Sequence, residues 1–94
     1  MPFALIAHDY ADGLERRLAC REQHLERLRA LHQAGKLIGG GVLLDEQGRM
    51  IGSNVHLNFA DRAELDLWLE DEPYILESVW EQIEIREIRL LSLG

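Results

Sequence analysis

A single cysteine, Cys20, rules out an internal disulfide, and no second thiol stands at a metal-ligand spacing from it. That usage suits a reducing, cytoplasmic setting. Long apolar runs are missing as well: nothing approaches the roughly 18 consecutive apolar residues of a membrane span. The opening stretch MPFALIAHDY has no basic flank and only a short apolar run, so it is expected to be a strand and not an export signal. Positive charge is scarce. Ten Lys and Arg against 17 Asp and Glu leave a formal net charge of -7, which repels phosphate backbones, and no aromatic residues interleave with a basic patch. Nucleic acid is therefore not an expected partner. The 94 residues contain two prolines and no low-complexity linker, enough for one domain spanning 1–94 and too short for two. Small cores are often completed by disulfides, metals or oligomerisation, and of these only a second copy of the chain has support in the sequence.

What is present is a clear alternation of apolar patterns. Phe3 to Ala7 is an apolar run closed by His8, Asp9 and Gly13, which predicts a short buried strand. From about Asp12 to Ala34 the leucines Leu14, Leu18, Leu25 and Leu28 recur at helical spacing, with Glu15, Glu22, Glu26 and Arg29 opposite them. Gly35 follows where a left-handed helix cap is expected. Leu37 to Leu44 predicts a second strand, with Gly39, Gly40 and Gly41 permitting a bulge or the close approach of another group. After the turn Asp45-Glu46-Gln47-Gly48, the residues Ile51, Ser53, Val55, Leu57 and Phe59 alternate with small and polar ones, so a third strand turns that set inward. Asp61 with Glu64 three residues later is a capping-box pattern for a second helix carrying Leu65, Trp68 and Leu69, which Pro73 is expected to end. In the last strand Ile83 and Ile85 share one face while Ile88 and Leu90 share the other, a slip at Glu87 that a bulge, or a strand serving two surfaces, would explain.

The order β-α-β-β-α-β defines a ferredoxin-like α+β fold, a four-stranded antiparallel sheet with two helices on one face. Strands apolar on more than one side leave the other face to be covered, and the simplest cover is the same face of a second subunit. A homodimer is expected on that ground.

Arg17, Arg21 and His24 are neighbours along the long helix, and Arg21 falls near the middle of its leucine stripe. A cation there needs a partner. Two readings stand side by side: a buried ion pair with His24 as a satisfied border residue, or an anion-binding pocket with a titratable base. The carboxylates open to His24 are Asp9, Asp71 and Glu72. Ser53, facing inward, needs a hydrogen-bond partner, for which a backbone carbonyl is expected; no elbow of the GxSxG type marks it as a nucleophile. Tyr74 is the aromatic residue best placed to show a hydroxyl to a pocket, whereas Trp68, Trp80 and Phe59 read as core or interface. His8, His32 and His56 lie on different elements with no metal spacing, and Gly39 to Gly41 lack the lysine and helix of a phosphate loop. No metal and no cofactor are expected.

The stretch from Arg17 through Arg21 to His24 and Leu25 resembles the R-x-x-H-L helix of the YciI-like family. Ala7-His8-Asp9, Gly41, Gly52-Ser53 and Glu72-Pro73-Tyr74 extend the likeness over nearly the whole chain. The resemblance implies a dimeric α/β barrel and a cleft worked by a histidine and an acidic residue. His24 carries over directly, and the acidic position aligns on Glu72, where the family usually has Asp, with Asp71 one place earlier. The histidine, arginine and carboxylate constellation, taken together with the resemblance, leads to the expectation of proton transfer on a small polar or aromatic substrate, in an elimination such as dehydrochlorination or in an isomerisation, with Arg21, Arg17, Asp9, Ser53 and Tyr74 as the substrate-binding candidates. The alternative is a non-catalytic small-molecule-binding or accessory dimer.

Overall fold

Apolar runs at the two ends of the chain pair with each other inside one sheet. In the computed structural model, which describes residues 1–94, the elements are β1 (Pro2–Asp9), α1 (Leu14–Gln33), β2 (Leu37–Leu44), β3 (Met50–Asn58), α2 (Arg62–Leu69), α3 (Pro73–Leu76) and β4 (Trp80–Glu87). The strands form a single antiparallel sheet in the order β2-β3-β1-β4. This is the ferredoxin-like α+β fold, with one helical turn more than expected. That turn arises at Pro73, whose fixed backbone angle and missing N–H suit the first position of a helix. Glu72 caps it, its side chain accepting from the Tyr74 N–H. Pro73 thus starts a helix, while α2 has already ended at Leu69.

Alternation in the central strands separates the two faces. Phe3, Leu5 and Ala7 of β1 lie beside Val55 and Leu57 of β3, and all five are buried under the helices with Phe59, Leu65, Val79 and Trp80. The opposite face is less apolar than the sequence pattern implies: Ala4, Ile6 and Leu43 are interspersed with Asn54, His56, Gln82, Glu84 and Arg86.

The slip expected at Glu87 is not there; the one irregularity of the last strand lies at its other end. The irregularity falls between His8 and Asp9, opposite Gln82 and Trp80, so Glu81 is the extra residue and the strand simply stops at Glu87. The bulge turns Trp80 to the helix side along with Ile83 and Ile85, which strict alternation forbids.

Helix α1 carries the main surprise. Its buried residues are Arg17, Cys20, His24 and Leu31. The leucines that defined the expected stripe lie round the helix from this line: Leu18 is exposed, and Leu14, Leu25 and Leu28 are half-buried. The buried cation is therefore Arg17 and not Arg21. At about 100° per residue Arg21 sits about 40° round from Arg17, on the flank that carries Leu25 and Leu28. There it is exposed and forms no ion pair. The capping expectation for α2 holds in part: Asp61 accepts from the Glu64 N–H, but the Glu64 carboxylate bonds Lys36 Nζ at 2.9 Å instead of returning to the cap.

Candidate functional site

Between α1 and β2 the sheet carries glycines where other strands carry side chains, and a cavity of about 430 Å³ opens there. Leu25, Leu28 and Val42 form its apolar wall, and the backbone of Gly39, Gly40 and Gly41 forms another side. Gly40 is held at φ 149, and a Cβ there would meet the Asn54 carbonyl and lie 2.8 Å from Val55 Cα. Only glycine fits that crossing.

Polar groups enter the cavity from beneath. Arg17, 1% exposed, spans β1 and β3: Nε and Nη2 bond the two oxygens of Asp9 at 2.7 and 3.0 Å, and Nη2 also donates to Ser53 Oγ at 2.9 Å. The forked guanidinium suits this two-point grip on a carboxylate. Ser53 Oγ accepts in addition from Trp80 Nε1 at 3.2 Å, so its partners are side chains and not the expected backbone carbonyl. Arg17 also lies 4.6 Å above the centre of the Tyr74 ring.

His24, one turn beyond Cys20, stacks on Tyr74 with ring centres 3.9 Å apart and 16° between planes. Its Nδ1 bonds Glu72 Oε1, and the fully buried Glu72 is held by Arg27 Nη1 on its other oxygen at 2.6 Å. Arg27 Nη2 donates to the Trp68 carbonyl at 2.7 Å, and its guanidinium lies 4.5 Å from the Trp68 ring centre. Glu72 is thus the carboxylate that meets His24. Asp71 is exposed at the end of α2 and bonds neither His24 nor Arg27, and Asp9 is engaged by Arg17.

Three polar atoms are left without a protein partner: Arg17 Nη1, Tyr74 Oη and His24 Nε2. None of the three is sealed from solvent, and Arg17, Tyr74 and His24 all line the cavity. Arg21 adds a free cation at the rim. Burial pushes the Tyr74 hydroxyl above its usual range, against the pull of the Arg17 charge, which keeps it a neutral donor and acceptor. Burial likewise raises the Cys20 thiol, helped by the charge of Glu77, and Cys20 donates to the Arg16 carbonyl at 3.2 Å. No group of three or more His, Cys, Asp or Glu side chains is placed to hold a metal ion.

Sequence reasoning passed over Arg27 and gave Trp80 only a packing role. Arg27 stands three residues after His24, a helical neighbour by spacing. That its guanidinium would reach a carboxylate 45 residues away follows only from the fold.

Fold and cavity together define a small ferredoxin-like α+β protein with a buried histidine–carboxylate pair opening on an apolar pocket. The chain belongs to the YCII-related domain family, whose model matches residues 1–89. It is 30% identical over 95 residues to Protein YciI of Escherichia coli, covering 95% of this chain and 97% of that one, and equally so to a protein from Haemophilus influenzae. Among solved structures it is similar to 5-chloro-2-hydroxyhydroquinone dehydrochlorinase (TftG) from Burkholderia phenoliruptrix, in complex with 2,5-dihydroxybenzoquinone. The TM-score is 0.85 at 20% identity, over 95% of this chain and 94% of that one. Protein Atu4242 from Agrobacterium tumefaciens shares the fold more loosely, with a TM-score of 0.52 at 16% identity over 92% of this chain and 89% of that one. No helix is long and apolar enough to cross a membrane.

Proposed function

We propose that this chain is a small-molecule enzyme in which His24 moves a proton during an elimination or isomerisation of a small polar or aromatic substrate. The observation that carries this reading is the division of labour on one ring that lines the cavity: Nδ1 is occupied by Glu72, while Nε2 has no protein partner. Donation from Nδ1 to a carboxylate fixes the tautomer and leaves Nε2 as an acceptor, the form a general base requires. An oxygen of the substrate that gains negative charge as the proton leaves would find Arg17 Nη1 and Tyr74 Oη nearby, with Arg21 at the rim to attract an anion. Asp9 and Ser53 serve by holding Arg17 in place. TftG, similar in fold, is named for a dehydrochlorination, an elimination that needs such a base.

The working unit in this proposal is a homodimer. Support comes from the large apolar side chains that one chain leaves exposed, among them Ile38, Leu44, Ile51 and Leu91. Sedimentation would show a mass near twice that of one chain; a monomer at micromolar concentration would refute it.

The decisive experiment screens hydroxyquinols, their chlorinated forms and small lactones for turnover, then compares His24→Gln. Loss of general base catalysis lowers the rate by about 10²–10⁴-fold. Undiminished turnover in the variant would remove His24 from the chemistry. Binding with no turnover by the unaltered protein would make the cavity a binding site alone.

A further inference from the structure

We propose that Arg27 is a positioning residue that keeps His24 neutral by supplying the counter-charge for Glu72. The Glu72 carboxylate is fully buried and meets three groups: His24 Nδ1, Arg27 Nη1 at 2.6 Å and the Tyr74 N–H at 3.3 Å. Two of these can be cations, and one carboxylate balances one of them. A guanidinium does not give up its proton in a protein, so Arg27 takes the charge and the imidazole is left neutral. A second positive charge at the same buried point would stand uncompensated.

The rest of the surroundings point the same way. On α1, Arg17 is already neutralised by Asp9 of β1, Arg21 adds positive charge at the rim, and Cys20 is a thiol held protonated by burial. From α3 comes the neutral Tyr74, from β3 Ser53 and from β4 Trp80. Glu72 is the one carboxylate bonded to the ring. Arg27 is fixed independently, by the Trp68 carbonyl at 2.7 Å and the Trp68 ring. Position and charge of the carboxylate are thereby set from the side that never touches the cavity.

Removing the fixed cation leaves the imidazole as the remaining group in contact with Glu72 able to become one. It then takes a proton, Nε2 becomes a donor, and the acceptor facing the cavity is lost. This deepens the reading of His24 as a base, yet it is tested with no substrate present, so its failure is distinct from a failure of that reading. Nitrogen-15 spectra of the histidine rings at pH 7.5 report protonation directly. The unaltered protein should show His24 as a neutral ring protonated at Nδ1, Arg27→Met as an imidazolium, and Arg27→Lys as the neutral ring again. A merely structural clamp between α1 and α2 would lose stability in Arg27→Met without changing the ring. A neutral His24 in folded Arg27→Met, or an imidazolium in folded Arg27→Lys, overturns the proposal. Should the variants not fold, the spectrum of the unaltered protein decides: a neutral ring at pH 7.5 is the expected result, and an imidazolium there overturns the proposal.

Discussion

Replacing Arg17 by methionine keeps the bulk of a residue 1% exposed and removes its charge. Asp9, with a side chain 3% exposed, would then be a buried carboxylate without its cation. Breaking a buried pair by removing one partner costs about 3–5 kcal/mol, because the remaining charge stays out of water. Ser53 also loses a donor, and Tyr74 a cation on its face. Against the total stability of a domain of this size, about 5–14 kcal/mol, the variant surrenders about a fifth or more. With about 4–8 °C of melting temperature per kcal/mol, Tm should fall by about 12 °C or more. Urea unfolding of Arg17→Met, Asp9→Asn and the double variant gives the coupling. The double variant, which leaves neither half of this pair charged, should be more stable than the sum of the two losses implies. Arg21→Met serves as the control and should stay within about 0.5 kcal/mol of the parent. A loss below about 1 kcal/mol in Arg17→Met, or strict additivity in the cycle, would refute the assignment of Arg17 as the buried cation.

Ser53→Ala removes the common acceptor of Arg17 Nη2 and Trp80 Nε1, and should cost about 1–3 kcal/mol in thermal or chemical unfolding. Gly40→Ala forces an L side chain into a backbone at φ 149 against β3, at a cost of about 1–3 kcal/mol from conformation alone. Gly41→Ala, where a Cβ meets nothing, should stay within about 0.5 kcal/mol on the same denaturation curves. Because burial raises the folded-state value for Tyr74, its contribution to stability is complete below the unfolded phenol value of about 10 and is lost as pH rises through the folded value. Urea midpoints measured from pH 8 to 11 should therefore decline at the alkaline end, and Tyr74→Phe should flatten that decline.

The strand and helix pattern was legible because period 2 and period 3.6 are properties of neighbours in sequence. Val55 and Leu57 face the core as their alternation required, and Asp61 caps α2 as its type and spacing required. The orientation of α1 was not legible, because counting leucines assumes that the apolar stripe faces the sheet. Here the inward line holds an arginine and a histidine, each satisfied by a carboxylate on another element, while leucines border the cavity and solvent. A buried polar group satisfied by distant partners looks, in sequence, like a break in the pattern. The choice of Glu72 over Asp71 turned on Pro73 in the same way: read as a helix stop it leaves both residues on a tail, whereas as a helix start it makes Glu72 a cap with its side chain turned inward.

The cavity has a floor and a rim made by different kinds of residue. Arg17, Ser53, His24 and Glu72 tie α1, β1, β3 and α3 to one another, so change among them endangers the fold itself. Leu25, Leu28, Val42 and Arg21 border the same space but hold no other element in place through hydrogen bonds or ion pairs of their side chains. A lineage could exchange Leu25, Val42 and Arg21 at little cost to the fold, and Leu28 within the limits of its contact with the core, altering which molecules enter while inheriting the polar floor intact. Divergence of ligand preference within such a scaffold would then proceed from the rim inward.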